Sequence, residues 1–189
     1  MEISIVIPVC EAQKSIGKVI DELQALPYLQ QNQWELILVD DFSSDKSFEI
    51  IQAKAKEYPN IIGITLHKNA GQHAATFVGI REAKGKYLLT MDDDGEHPVS
   101  QIAPMIQKLE ENKVDVVYAS PTKREKSRFR KVVSKGFKIS ARMFSDGYGD
   151  GSAFRLIHRS VYSQIQKLKT PFVFIDEILA WYTKNVYFF

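Results

Sequence analysis

Residues 36–45 read Leu36-Ile37-Leu38-Val39-Asp40-Asp41-Phe42-Ser43-Ser44-Asp45. The first four form a continuous apolar run, which is typical of a strand that is buried on both faces of a sheet. Two carboxylates follow directly, where such a strand would end. Because ligands of open α/β sheets bind beyond the carboxyl ends of the strands, this stretch predicts a central strand that leads into a ligand site.

Strand and helix patterns alternate on both sides of this stretch. Further strands are predicted at residues 3–9, 61–66, 87–91 and 114–119, and helices at about residues 16–23, 45–58, 72–83 and 102–111. Such alternation predicts an α/β fold with a mostly parallel, doubly wound, Rossmann-like sheet. After residue 120 we predict a long basic helix at 127–144, a Gly-rich loop at 146–151, a short strand at 154–157 and two more helices.

The composition is that of one globular domain. Of the 189 residues, 44% are hydrophobic and 25% are charged, which excludes wholesale disorder. The net charge of +2 hides an asymmetry, because residues 121–145 contain nine basic side chains and one acidic one, a net +8 that leaves −6 for the rest. The single cysteine, Cys10, excludes an intramolecular disulfide, and we expect its small side chain to be packed.

The sequence at the two ends of the chain bears on whether the protein has a secretory signal or membrane-spanning segments. Residues 3–7 read directly as a strand, so we expect no secretory signal there. No run approaches the roughly 18–20 apolar residues that a membrane-spanning helix needs. Residues 185–189 are an apolar, β-prone stretch without a polar tail, and we expect that the domain is truncated there. Whether membrane-spanning segments follow residue 189 stays open.

A second run of carboxylates, Asp92-Asp93-Asp94, follows the predicted strand at residues 87–91. Carboxylates crowded at one edge of a sheet repel each other unless a cation neutralises them. Mg²⁺ and Mn²⁺ prefer a few carboxylate oxygens, with water and phosphate in the other positions. Asp92 and Asp94 can point to the same side of an extended segment, and Glu96 continues the alternation. We therefore predict a Mg²⁺ or Mn²⁺ site at Asp92, Asp94 and Glu96 that clamps a diphosphate leaving group.

Four stretches resemble, in this order, the signature motifs of family 2 glycosyltransferases. They are Ile7-Pro8-Val9, Val39-Asp40-Asp41-Phe42-Ser43-Ser44-Asp45, Lys68-Asn69-Ala70-Gly71-Gln72 and Met91-Asp92-Asp93-Asp94-Gly95-Glu96-His97-Pro98. Within the family the motifs are most similar to those of polyprenyl-phosphate, dolichol-phosphate-mannose-like sugar transferases, and the resemblance covers roughly residues 1–165. It implies the GT-A fold of nucleotide-diphospho-sugar transferases, a nucleotide-sugar donor, Mg²⁺ or Mn²⁺, and inversion at the anomeric carbon.

The resemblance also implies roles for individual residues. Asp41 would hold the edge of the base and the ribose, and the nucleotide-sugar site would contain Pro8, Val9, Glu11, Asp41, Gly71, Asp92 and Asp93. The sequence departs from the family pattern at several of these motifs. Cys10-Glu11-Ala12 replace Tyr-Asn-Glu, Phe42 replaces a glycine, and Glu96 replaces a glutamine.

The acceptor is expected to face residues 121–189, opposite a nucleotide-binding half at residues 1–120 of the same domain. In polyprenyl-phosphate transferases, basic residues after the fifth strand face an anionic acceptor at the membrane surface. The resemblance therefore implies acceptor-phosphate contacts for Arg124, Arg128 and Lys135. A solvated helix face or a nucleic-acid patch would also account for the charge, but without a nucleic-acid-reading motif we expect no nucleic-acid partner.

Arg155 and Asp176 are the candidate catalytic residues. Gly151-Ser152-Ala153-Phe154-Arg155-Leu156 resembles a GDFRL-like motif of the mannosyltransferases in which Ala153 replaces the aspartate. Arg155 could pair with a phosphate, or it could hold the loop in a salt bridge. Asp176 opens a predicted late helix and resembles the base-bearing position of relatives that use a hydroxyl acceptor.

These observations predict a hexosyltransferase in the cytoplasm, associated with the inner face of the membrane. It would move a sugar from a nucleotide donor, UDP in preference to GDP, to a polyprenyl phosphate, which is already ionised at pH 7 and needs no general base. One alternative is transfer to a saccharide hydroxyl in cell-surface polysaccharide synthesis, with Asp176 as base. Another is a non-catalytic peripheral membrane-binding module. The sugar, the nucleotide and the oligomeric state, a homo-oligomer included, stay open.

Overall fold

A computed structural model describes residues 1–119, 153–169 and 174–189. The predicted basic helix, the Gly-rich loop and the side chains of Arg124, Arg128 and Lys135 lie outside these described residues. The described part forms a seven-stranded sheet with helices on both faces, as the alternation of strands and helices predicts. The division into a nucleotide-binding half and an acceptor-facing half stays a prediction.

The sheet is mostly parallel. Its strands are β1 (Ile3–Val9), β2 (Trp34–Asp40), β3 (Ile61–Thr65), β4 (Tyr87–Thr90), β5 (Val116–Tyr118), β6 (Arg155–His158) and β7 (Val186–Phe188). They lie in the order β3-β2-β1-β4-β6-β5-β7. All neighbours are parallel except β6, which runs antiparallel to both β4 and β5. The sequence pattern did not predict the antiparallel direction of β6, whereas the edge strand β7 falls in the β-prone stretch at residues 185–189.

The strand order determines where a site can form. From β1 the chain adds β2 and β3 on one side and then crosses to place β4 on the other side. Such a reversal opens a crevice at the carboxyl edge of a parallel sheet, where ligands bind. The segments that begin at Cys10, Asp41, Leu66 and Met91 follow these four strands and therefore meet at this edge.

Helices cover both faces of the sheet. They are α1 (Ile16–Gln24), α2 (Pro27–Gln30), α3 (Ser47–Glu57), α4 (Gln72–Glu82), α5 (Ile102–Asn112), α6 (Arg159–Ile165) and α7 (Ile175–Tyr182), with a 3-10 turn at Val99–Gln101. Every residue of β1 and β2 is buried, and alternate side chains of β1 enter two different cores. One core contains α1, α3 and α5, and the other contains α4, α6 and α7. None of the described helices is long and apolar enough to cross a membrane.

Helix α4 packs unusually close to β1. A Cβ atom on Gly79 would lie only 2.4 Å from Cγ1 of Val6, so glycine alone allows this approach. The close packing holds α4 against β1, with the first turn of the helix near the carboxyl edge of the sheet. Gly71, with a φ of 89°, and Gln72 begin the helix there.

Candidate active site

A cavity of about 310 Å³ lies beyond the carboxyl ends of β1, β2 and β4. It is lined by Pro8, Val9, Cys10, Asp41, Asn69, Gly71, Gln72, Asp92, Asp93 and Asp94. Seven of these residues are ones for which the sequence predicts nucleotide-sugar or metal binding, and the fold brings them together from four separate segments. Their individual binding roles stay predictions. Cys10, Asn69 and Gln72 are additional lining residues, and Cys10 is exposed there, so our expectation that it is packed is wrong.

Asp41 holds in place the segment after β3, which forms one wall of the cavity. The residue is only 3% exposed, and its two carboxylate oxygens accept hydrogen bonds from the backbone N–H groups of Ala70 at 2.7 Å and Gly71 at 2.8 Å. Hydrogen bonds to a charged acceptor are among the stronger ones in proteins. Asp41 therefore ties the end of β2 to the start of α4, and its predicted contact with base and ribose would use the remaining lone pairs.

Asp92 is held from two sides. Gln72 Nε2 donates a hydrogen bond to its Oδ1 at 2.6 Å, and His97 Nε2 lies 3.2 Å from its Oδ2. The His97 ring in turn stacks on Phe154, with ring centroids 4.9 Å apart. Neither Gln72 nor His97 was among the predicted site residues, and His97 was expected to be a loop residue, although both stand within the motifs that carry the family resemblance.

Asp93 lies between two other carboxylates and is half-buried. Burial and the charges of Asp92 and Asp94 raise the pKa of Asp93, while the Cys10 N–H donates a hydrogen bond to its Oδ2 at 2.9 Å. Partial burial and the carboxylate of Asp41 likewise raise the pKa of the Cys10 thiol, so it stays protonated at neutral pH and is a poor nucleophile. Negative charge is thus concentrated on this side of the cavity.

A divalent cation that arrives with a diphosphate fits this donor set. Within residues 1–119, 153–169 and 174–189, no three His, Cys, Asp or Glu side chains are grouped so that they could hold a metal ion by themselves. Mg²⁺ at phosphate sites usually takes one or two carboxylates and completes its shell with water and phosphate oxygens. Asp94 is exposed, and its Oδ1 accepts the N–H of Glu96 at 2.8 Å. Asp92, Asp94 and Glu96 stay a predicted ligand set.

Glu11 does not line the cavity. Its Oε1 accepts hydrogen bonds from the N–H and the hydroxyl of Ser44 at 2.7 and 3.0 Å, and its own N–H donates to Ser43 Oγ at 3.0 Å. Glu11 therefore joins the loop after β1 to the loop after β2. Its nucleotide contact stays a prediction, and its visible role is to hold these two loops together.

A second polar cluster lies at the ends of β4, β5 and β6. Arg155 is 4% exposed; its Nε donates to Thr90 Oγ1 at 3.0 Å and its Nη1 donates to Asp176 Oδ1. The Tyr118 hydroxyl donates to the same Oδ1 at 3.2 Å, and burial together with Asp176 raises the pKa of Tyr118. Arg155 and Asp176, which sequence analysis treated as two separate catalytic candidates, thus form one ion pair. A salt bridge is therefore present at Arg155, and the pairing of Arg155 with a phosphate stays a prediction.

His73 connects the second cluster to the first turn of α4. Its ring packs edge-to-face against Phe174 with centroids 5.0 Å apart. Burial and the nearby Arg155 guanidinium lower the pKa of His73, so the ring is neutral at physiological pH. Gln72 and His73 are consecutive residues of α4. Gln72 binds Asp92 in the cavity, and His73 lies close enough to the Arg155 guanidinium for its pKa to be affected.

The fold and the arrangement of the site define a GT-A glycosyltransferase domain. A mannosyltransferase from Pyrobaculum calidifontis in complex with GDP-Man and Mn²⁺ superposes with a TM-score of 0.73 over 99% of this chain and 54% of its own, at 15% identity. S. aureus TarS 1-349 in complex with UDP-GlcNAc does so with a TM-score of 0.70 over 100% of this chain and 56% of its own, at 17% identity. Identities this low establish the fold alone, and it is the GT-A fold that we predicted.

The chain belongs to glycosyl transferase family 2, whose sequence profile matches residues 4–169. Undecaprenyl-phosphate 4-deoxy-4-formamido-L-arabinose transferases from Photorhabdus laumondii and Yersinia pestis are each 38% identical to it over 135 residues. The match covers 71% of this chain and 41% of these relatives, so the chain spans less than half of their length. The predicted resemblance to polyprenyl-phosphate sugar transferases is confirmed.

Proposed function

We propose that this chain carries the active site of an inverting hexosyltransferase. It transfers a sugar from a nucleotide-diphosphate donor, UDP in preference to GDP, to a polyprenyl phosphate. The observation that carries the proposal is the cavity in which Asp92, Asp93 and Asp94 follow a buried strand and face Pro8 and Val9. Undecaprenyl phosphate in the names of the curated relatives supports the acceptor class.

The donor side of the proposal rests on the charge of the cavity. A diphosphate cannot approach three adjacent carboxylates unless a cation accompanies it. Burial raises the pKa of Asp93, and the charges of Asp92 and Asp94 add a repulsion that such a cation would relieve. We propose Mg²⁺ or Mn²⁺, held by Asp92, Asp94 and Glu96; when bound, it stabilises the diphosphate as a leaving group. Asp41 and the loop that it fixes would face the nucleoside.

The Arg155–Asp176 ion pair favours a phosphate acceptor over a hydroxyl acceptor. A hydroxyl must lose its proton during transfer and requires a general base, for which Asp176 is the candidate. However, Oδ1 of Asp176 already accepts hydrogen bonds from Arg155 and Tyr118. A lipid phosphate is ionised at neutral pH and needs only positioning and charge screening. We therefore propose that Asp176 is the counter-ion of Arg155 and that no side chain acts as base.

We further propose that transfer takes place at the cytoplasmic face of the membrane. The net +8 of residues 121–145 would attract an anionic headgroup layer, and the long Lys and Arg stems would pack on its apolar boundary. Arg124, Arg128 and Lys135 would contact the acceptor phosphate from this segment. These contacts follow from the resemblance and from the charge of the sequence.

A turnover assay tests the proposed function. Release of nucleoside diphosphate is measured from UDP-sugars and GDP-sugars with Mn²⁺, in the presence of undecaprenyl phosphate, a saccharide or no acceptor. We expect release that depends on undecaprenyl phosphate. Release that depends on the saccharide would instead indicate polysaccharide synthesis. Binding to anionic vesicles without any release would leave the non-catalytic membrane module.

A further inference from the structure

Phe42 combines two unfavourable features in the turn that follows β2. Its backbone is left-handed, with a φ of 62°. This conformation is sterically unfavourable for a residue with a bulky side chain, whereas glycine adopts it without strain. Its residue surface is also 58% exposed, so the ring gains little from the hydrophobic core. A glycine would adopt this backbone conformation without the steric cost that the Cβ of phenylalanine carries. Strain of this kind tends to persist at functional sites.

The neighbours of Phe42 impose its conformation. The Asp41 N–H donates to the Val9 carbonyl at 2.8 Å, and the Ser43 N–H donates to Asp40 Oδ2 at 3.3 Å. The Ser44 N–H is held by Glu11 at 2.7 Å. Hydrogen bonds on both sides thus hold the backbone of the turn.

Phe42 is not one of the ten lining residues, but it directly follows one that we expect to contact the nucleoside. The preceding residue, Asp41, lines the cavity, and the following residue, Ser43, binds the loop whose first residue, Cys10, lines it as well. None of the ten lining residues is aromatic. A flat nucleobase that enters this cavity would find no stacking partner among them.

We propose that Phe42 stacks on the base of the donor nucleotide and contributes to the choice of nucleotide; this inference rests on the proposed function. An exposed aromatic ring on a rigid turn loses little conformational freedom when it stacks. Stacking of a base on an aromatic side chain contributes enough affinity to measure by substitution. A contribution to nucleotide binding would give the strained phenylalanine a function that a glycine at this position lacks.

Calorimetry of the wild type, Phe42→Gly and Phe42→Tyr with UDP, GDP and pyrophosphate, each with Mn²⁺, tests the inference. We expect Phe42→Gly to raise the melting temperature and to weaken UDP or GDP binding roughly tenfold. Pyrophosphate has no base, so its affinity should not change. Phe42→Tyr should retain nucleotide affinity. Trp181→Ala is the matched control and should leave binding unchanged, because Trp181 is another exposed aromatic residue, 72% exposed, and lies on α7, which contributes no residue to the cavity lining.

The outcomes separate this inference from the proposed function. Unchanged UDP and GDP affinities in Phe42→Gly would overturn the stacking role and leave the transferase proposal standing. Equal losses for pyrophosphate and nucleotide would show that the substitution distorts the cavity, which also overturns a base contact. A wild-type protein that binds neither nucleotide would overturn both.

Discussion

Replacement of Asp176 by asparagine should destabilise the protein because it leaves the Arg155 guanidinium buried without its counter-ion. The Arg155 side chain is 5% exposed and that of Asp176 is 30% exposed. Loss of one partner of a fully buried pair costs about 3–5 kcal/mol, and a fully exposed pair contributes at most about 1 kcal/mol. Because one side chain of this pair is buried and the other is partly exposed, we expect the free energy of unfolding to fall by about 2–3 kcal/mol. This corresponds to a fall of about 4–12 °C in melting temperature.

A carboxylate introduced at residue 153 should compensate for this loss. The Thr90 hydroxyl donates to the Ala153 carbonyl at 2.6 Å and accepts from Arg155 Nε at 3.0 Å, so residue 153 lies next to the guanidinium. In the double variant Asp176→Asn/Ala153→Asp, we expect at least half of the lost melting temperature to return. Sugar transfer should return in parallel. Differential scanning fluorimetry and the turnover assay measure the two quantities.

Glu177→Gln is the matched control, since it removes the same charge from an exposed position on the same turn of α7. It should change the melting temperature little. An equal fall in Glu177→Gln would refute the counter-ion reasoning, and so would a double variant that recovers no stability. A double variant that recovers stability but not transfer would show that Asp176 acts as a general base.

Three further predictions concern the cavity and its neighbours. Asp41→Asn should lower the melting temperature and weaken nucleotide binding, because an amide cannot accept both loop N–H groups as a carboxylate does; fluorimetry and calorimetry measure this, and unchanged values would contradict the role of Asp41. Gln72→Ala should weaken Mn²⁺-dependent UDP binding roughly tenfold, because Gln72 orients Asp92. The melting temperature should change little, because Gln72 is exposed. A UDP affinity equal to that of the wild type, measured by titration, would argue against this role of Gln72. Because the pKa of His73 is lowered from 6.5, the unfolded chain binds more protons between the two values, and the free energy of unfolding should fall as pH decreases through and below 6.5. His73→Gln should flatten this slope in urea titrations at several pH values.

The sheet was predictable because its central strands are apolar at consecutive positions. β1 and β2 are buried on both faces, so consecutive residues in them are mostly apolar. An amphipathic helix instead has apolar residues three or four positions apart. Asp41 and Asp92 were predictable for a related reason. They stand directly after buried strands, and parallel topology brings such positions to one edge.

The Arg155–Asp176 pair was not predictable as a pair. Its partners come from β6 and α7, and their contact depends on the antiparallel direction of β6, for which a period-two pattern carries no information. Glu11 illustrates a different limit. A carboxylate after a strand has the same appearance in sequence whether it binds a ligand or the backbone of a neighbouring loop, and here it binds Ser44.

The central claim is that the carboxylates after β4 bind a nucleotide diphosphate through a divalent cation. Isothermal titration of UDP and GDP, with and without Mn²⁺, tests it on the wild type and on Asp92→Asn/Asp94→Asn. We expect at least one nucleotide to bind at least tenfold more tightly with Mn²⁺ than without it, and the double variant to lose this difference. Nucleotide binding that is independent of Mn²⁺, or that survives the double substitution unchanged, would contradict it.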